Sequence, residues 1–339
     1  MTEHANTAQR DVHAQQSFAA LDPDRVIDAV ESLGFVSDLR VFPLNSYENR
    51  VYQFGLEEAE PLVVKFYRPQ RWSAEQILEE HHFTQQLHDA DIPVIPPWQN
   101  QDGQSLFEHA GYRFALYPRR GGHAPALDDM ENLFQLGRLF GRLHLLGETS
   151  DYRHRPTLSP ASFGESSRDF LLENDFIPPS LREAYQSLSR DLLALISQRY
   201  DEIGARNIRC HGDGHVGNIL WRGGDTYLVD FDDSRMAPAI QDLWMFLSGE
   251  NDARQKALME LVEGYEEFRP FEPRELGLIE ALRGLRIMHH AAWLARRWGD
   301  PAFPRAFPWF NTERYWGEHI LMLREQLALL QEPPLQLHY

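Results

Sequence analysis

The run His211-Gly212-Asp213-Gly214-His215-Val216-Gly217-Asn218 sets an aspartate and an asparagine five residues apart in a loop punctuated by three glycines. The glycines predict a tight loop with close backbone approach. Twelve residues beyond Asn218, the segment Tyr227-Leu228-Val229 ends in Asp230, followed by Phe231-Asp232-Asp233. This spacing lets Asp213 meet a substrate hydroxyl while Asn218 and Asp230 offer oxygens to one hard cation. Phosphoryl transfer needs such a set, because its transition state is stabilised by positioning and by countering charge. Clustered carboxylates also occur on solvated loops, but at ~4 Å two of them repel by about 1 kcal/mol in water and more when buried. A different chemistry is also written here. His211, Asp213 and His215 form H-x-D-x-H, which can hold a transition metal in a hydrolase, although that leaves Asn218 and Asp230 without roles.

The complementary cation lies upstream. Leu62-Val63-Val64-Lys65-Phe66-Tyr67 puts a lysine inside an apolar strand. It escapes the cost of burial only by reaching a carboxylate, a phosphate or solvent, the last being the lot of an edge-strand lysine. A helix expected from Ser73 to about Leu87 offers Glu75, Glu79 and Glu80, of which Glu80, well inside the helix, is the chosen partner. Between two strand segments, Asn45-Ser46-Tyr47-Glu48-Asn49-Arg50 sits where a hairpin loop can cover nucleotide phosphates, with Ser46 and backbone amides as donors. Taken alone, the hexapeptide reads more simply as a polar turn.

These residues must be positioned by elements of two kinds. Residues 1–18 read as a flexible polar tail. A helix is expected from Asp22-Pro23, an N-cap residue before proline. Strands follow at 39–44, 50–54 and 62–67, then the helix at 73–87, opened by a Ser73/Gln76 capping box, and strands at 104–108 and 113–117. Pro118-Arg119-Arg120-Gly121-Gly122 is a turn-rich hinge. Beyond it helical periodicity dominates, interrupted only by brief strands at 218–221 and 227–229. The expected fold is α+β: an antiparallel lobe with one main helix (19–117), a hinge (118–122) and a larger helical lobe (123–339).

Composition narrows the setting. With 33 basic and 51 acidic residues the net charge is −18, which argues against coating nucleic acid or an anionic membrane. A lone cysteine, Cys210, suits a reducing compartment, and no run is apolar enough for a signal peptide or membrane span, so a cytoplasmic protein is expected. Cys210 reads as a buried, inert thiol rather than a redox sensor. Arg283, Arg286, Arg296 and Arg297, near Trp293 and Trp298, read as a solvated face with ion pairs before they read as a site for an acidic acceptor. The pairs His81-His82 and His289-His290 diverge on a helix and make no metal site.

Assembled in order, Lys65, Glu80, the Asp213–Asn218 loop and Asp230 resemble the protein-kinase-like enzymes, and the HGDGHVGN form resembles their aminoglycoside phosphotransferase/choline kinase branch. The segments LNSYENRVYQF (44–54), VVKFYRPQRW (63–72), HGDGHVGNILW (211–221), RRWGDPAFP (296–304) and QEPPLQL (331–337) are similar to those of the bacterial stress response kinase A family. The resemblance implies an ATP- and Mg2+-dependent serine/threonine protein kinase of the stress response, two-lobed, with ATP in the cleft between the lobes and the catalytic loop and substrate site in the helical lobe; a monomer is expected. In it Asp213 is the proton acceptor, and Asn218 and the catalytic Asp230 are the Mg2+ ligands. Ser46 lies at the ATP site, Lys65 holds the α/β phosphates and Glu80 orients Lys65. Asp242 resembles a buried aspartate that braces the catalytic loop, and it reads equally as a helix N-cap; either role is structural. A small-molecule hydroxyl kinase would share every one of these motifs, and an ATP-binding regulator most of them. The chain departs from protein kinases in lacking G-x-G-x-x-G, in reading HGD for HRD and in reading Asp230-Phe231-Asp232 for DFG. Without an arginine at 212, an active site assembled without loop phosphorylation is expected.

Overall fold

The computed structural model describes residue 18 and residues 20–337. The rest of the expected 1–18 tail lies outside the described residues. Phe18, counted with that tail, is a core residue: it stacks on Tyr112 at 6.0 Å, with the Arg50 and Arg68 guanidiniums over its ring.

The chain divides into two compact units, of which the first comprises residues up to Ala124 together with Gly217–Asp232. Its helix Pro23–Glu31 starts at an Asp22 cap that accepts from the Arg25 N–H, and it buries Val26, Ala29 and Val30. Five antiparallel strands follow: β1 (Ser37–Pro43), β2 (Arg50–Leu56), β3 (Ala59–Phe66), β4 (Phe107–His109) and β5 (Tyr112–Pro118), in the order β1-β2-β3-β5-β4. Strand β3 is therefore central, with Lys65 opposite Val51 on one side and Ala115 on the other, so the lysine is no edge residue. Phe54, Val64, Phe66, Phe114 and Leu116 fill the core beneath the sheet. The helix Ala74–Asp89 opens with the predicted capping box, Ser73 and Gln76 each satisfying the other's backbone N–H.

A hairpin of β7 (Ile219–Arg222) and β8 (Asp225–Leu228) completes this unit. The Leu228 N–H donates to the Pro93 carbonyl at 2.9 Å, and His123 and Trp221 exchange backbone hydrogen bonds at 3.1 and 2.8 Å. By sequence these residues are expected in the helical lobe. They join the first unit because the proline-rich segment after Ile92 leaves backbone groups that need partners.

The second unit holds Pro125–Val216 and Asp233–Tyr339. Its longer helices are Met130–Gly147, Arg182–Ile203, Asn251–Glu266, Ile279–Arg296 and Glu313–Leu329. Two of them press backbone to backbone. A Cβ on Gly137 would lie 2.0 Å from the Leu261 carbonyl oxygen, and one on Gly264 would lie 2.0 Å from that of Phe134. The short antiparallel pair β6 (Ile208–Cys210) and β9 (Arg235–Ala237) frames the glycine-rich loop. Neither strand was expected, since three residues carry too little alternation to read. Among the described residues, no helix is long and apolar enough to cross a membrane.

Candidate active site

In the first unit the site is organised around Lys65. Its ammonium lies 3.0 Å from Asp230 Oδ1 and 3.2 Å from Asp232 Oδ1, with its side chain only 8% exposed. Burial alone would push its pKa down, but the two carboxylates more than reverse this and hold the lysine charged well above its usual range. Asp232 is buried and also pairs with Arg71, which in turn lies 3.7 Å from Glu48. Arg68 extends the chain of charges, meeting Glu48 Oε1 at 3.1 Å and donating to the carbonyls of Glu48 and Tyr47. Asn49 accepts from the Arg68 N–H, and the Asn49 N–H donates to Ser46 Oγ at 3.4 Å. The loop around Ser46 is thus held by the strand-end arginines. Arg68, Arg71 and Glu48 carry no sequence signal beyond the charges in YENR and RPQR, and Asp232 none beyond its place in the acidic run after Asp230.

Asp230 adopts a left-handed backbone conformation, φ 61°, which aspartate tolerates better than most residues. Its side chain is 55% exposed. Across the hairpin, the Val229 N–H donates to the Asn218 carbonyl at 2.9 Å, so Asn218 stands opposite the residue preceding Asp230. An amide side chain and an accessible carboxylate at one end of a hairpin are residues that could offer oxygens to a hard divalent cation such as Mg2+.

Glu80, expected to orient Lys65, is buried on the helix Ala74–Asp89 and acts on the ammonium more weakly than Asp230 and Asp232 do. Its Oε2 lies 3.8 Å from His81 Nε2. His81, expected only to diverge from His82 and make no metal pair, is the centre of a buried polar network. Its Nε2 is 2.7 Å from the Tyr67 hydroxyl, its Nδ1 is 2.8 Å from Ser105 Oγ, and Tyr67 meets the Tyr117 hydroxyl at 3.0 Å.

In the second unit the glycine-rich loop carries Asp213. Asp242 braces the start of this loop, accepting from the His211 N–H at 2.7 Å and the Gly212 N–H at 2.8 Å, while His144 Nε2 lies 3.0 Å away. Two of the glycines are needed for close approach: a Cβ at Gly212 would sit 2.1 Å from the Asp233 carbonyl oxygen, and one at Gly214 would sit 2.5 Å from that of Asp242. The Asp213 carboxylate meets His215 Nε2 at 3.2 Å and the Arg286 guanidinium at 2.7 Å. Burial pushes its pKa up, but these two partners prevail and hold it below the usual carboxylate range.

The H-x-D-x-H reading fails on geometry. His211 is buried and its Nδ1 accepts from the Asp213 backbone N–H at 3.3 Å. Among the described residues the group of three potential ligands that converges is instead His144, Cys210 and Asp242. Its members are engaged in braces already: Asp242 as above, His144 Nδ1 at 3.0 Å from the Tyr265 hydroxyl, and Cys210, its pKa pushed well up by burial, donating to the Ala237 carbonyl.

Residues 40–279 match the phosphotransferase enzyme family. The chain belongs to that family and is a phosphotransferase. Stress response kinase A of Escherichia coli strain K12 is 44% identical over 321 residues, which are 95% of this chain and 97% of the relative. Serine/threonine protein kinase RdoA of Salmonella typhimurium is 42% identical over the same shares of each chain. Within the family, the chain is therefore a member of the stress response kinase A group. Among solved structures, amicoumacin kinase hAmiN in complex with AMP-PNP, Ca2+ and Ami aligns with a TM-score of 0.69 at 18% identity, over 96% of this chain and 97% of that one. At that identity the likeness is one of fold, and it agrees with the α+β, kinase-like architecture.

Proposed function

We propose that this phosphotransferase moves the γ-phosphoryl group of ATP to a serine or threonine hydroxyl of a protein, as a cytoplasmic monomer in a stress response. The observation that carries the reading is Lys65, a buried ammonium on the central strand facing two carboxylates, one of them exposed. A cation held in this way, beside residues that could offer oxygens to a divalent cation, suits a nucleotide triphosphate and its counter-ion better than it suits core packing. The name of the relative from Salmonella typhimurium, a serine/threonine protein kinase, supports a protein hydroxyl as acceptor. The neighbour solved with AMP-PNP and Ca2+ supports a nucleotide with a divalent cation.

In this reading Lys65 takes the α and β phosphates, and the loop around Ser46, clamped by Arg68, covers them with hydroxyl and amide donors. Glu80 and the network around His81 keep the lysine end of the sheet rigid. Asn218 and Asp230 hold Mg2+, which when bound counters charge on the phosphate oxygens. Asp213 orients the acceptor hydroxyl and receives its proton, and Asp242 keeps the loop that carries Asp213 in place.

Asp213→Asn tests the assignment. Transfer of radiolabelled γ-phosphate to a model protein should fall by about a hundredfold or more, while affinity for an ATP analogue stays unchanged. Retention of most of the transfer activity by the folded variant would remove Asp213 from the chemistry.

A further inference from the structure

Both oxygens of the Asp213 carboxylate are occupied, Oδ1 by Arg286 and Oδ2 by His215. Arg286 comes from the helix Ile279–Arg296 and its side chain is 44% exposed. Residues 279–297 carry four arginines against one acid, Glu280, in a chain whose net charge is −18. Three of the four have local structural partners. Arg283 meets Glu280 at 3.2 Å and lies over Trp244. Arg296 donates to the Ser166 carbonyl and lies over Phe170. Arg297 donates to the Trp293 carbonyl. The fourth is placed on the group that must receive a proton.

A carboxylate paired with a guanidinium is a weaker base, so release of Arg286 makes Asp213 a better proton acceptor. Arg286 is the partner able to leave: it stands on a long flexible stem from another element, whereas His215 belongs to the same loop as Asp213. Its planar fork matches a carboxylate with two parallel N–H donors. An amine brought to the same place would meet like charge.

We propose that Arg286 reads the acceptor: the hydroxyl belongs to a serine or threonine in an acidic peptide segment, whose carboxylate takes over the guanidinium and frees Asp213 Oδ1. This rests on the phosphotransfer reading above. In the step, the hydroxyl proton passes to Asp213 Oδ1 and the hydroxyl oxygen bonds to the γ-phosphorus. The bond from that phosphorus to the β–γ bridging oxygen breaks, its electron pair leaving with ADP. Arg286 is a positioning and specificity residue, since it acts through Asp213 and through the acceptor's charge.

The full chain is tested with ATP and three synthetic peptides, each with one serine flanked by glutamates, alanines or lysines; choline and glycerate serve as small acceptors. The unaltered protein should prefer the glutamate peptide over the lysine peptide by about tenfold or more in kcat/KM. Arg286→Glu should reverse that order, Arg286→Lys should keep it, and Arg286→Gln should abolish it, with thermal unfolding confirming that each variant folds. Equal use of all three peptides, preference for choline or glycerate over every peptide, or an acidic preference that survives in Arg286→Glu would overturn the proposal. Asp213→Asn separates the two levels. Transfer that persists in it counts against the phosphotransfer reading, whereas Asp213-dependent transfer without charge preference counts only against Arg286.

Discussion

At the scale of single residues, the first unit is governed by one chain of alternating charges running from Glu48 through Arg71, Asp232 and Lys65 to Asp230. Asp232 is its pivot, since it faces two cations while only 6% exposed. Removing one member of a buried pair leaves the other charge uncompensated, which costs more than the pair itself is worth. Asp232→Ala should therefore lower unfolding stability by about 3 kcal/mol in urea melts. A loss below about 0.5 kcal/mol, the scale of ordinary surface substitutions, would show that the pivot is dispensable. Lys65, Asp213, Asn218 and Asp230 could be chosen from the sequence because charged and amide side chains in apolar or glycine-rich contexts demand an explanation. The stronger partner of Lys65 could not. Helical position favoured Glu80, but the hairpin β7–β8 brings Asp230 and Asp232 to the ammonium from about 165 residues away in the chain.

At the scale of elements, the second unit relies on close backbone contact between the helices Met130–Gly147 and Asn251–Glu266. Gly137 and Gly264 let each helix sit against a carbonyl of the other. Gly137→Ala gains a little intrinsic helix propensity, yet it forces a Cβ into the Leu261 carbonyl, and the clash outweighs the gain. We expect a net destabilisation of about 1–3 kcal/mol, seen as a lowered Tm, whereas an alanine at Gly317, which has no neighbour within 4 Å, should raise it. Caps at Asp22 and Ser73 were legible because capping is local chemistry. The strands β6 and β9 were not, because their pairing is decided by what each meets across more than twenty intervening residues.

At the scale of the whole molecule, stability is linked to pH by buried groups of opposite kind. Glu275 accepts from the Ile240 N–H and sits near Arg269, Glu272 and Arg274; burial pushes its pKa up from 4.5 to about 7. The folded chain thus keeps a proton that the unfolded chain has lost, and the stability this provides disappears as pH rises from about 4.5 through 7. His289 and His319 behave inversely. Burial pushes them down from 6.5 to about 3 and about 4, so the unfolded chain takes up protons that the folded chain refuses, and stability falls as pH drops below about 6.5. Two histidines outweigh one glutamate until the glutamate is half titrated, which puts the maximum from these groups near pH 7. Urea melts of the unaltered protein and of Glu275→Gln would check this. Between pH 4.5 and 8 the difference should shift in favour of the variant by about 3 kcal/mol, and a difference independent of pH would refute the assignment.

Residue types and their spacing alone singled out candidate side chains for the chemistry, two helix starts at Asp22 and Ser73, and an antiparallel half before a helical one. Each of these follows from local rules: the cost of a buried charge, the unsatisfied N–H groups of a helix start, and the period of apolar residues. Tertiary structure alone decided that Lys65 answers to Asp230 and Asp232 before Glu80, that the 217–232 hairpin completes the first unit, and that Arg286 reaches Asp213. Those outcomes depend on distances closed by packing and backbone pairing between segments far apart in the chain, and no local pattern encodes such a distance.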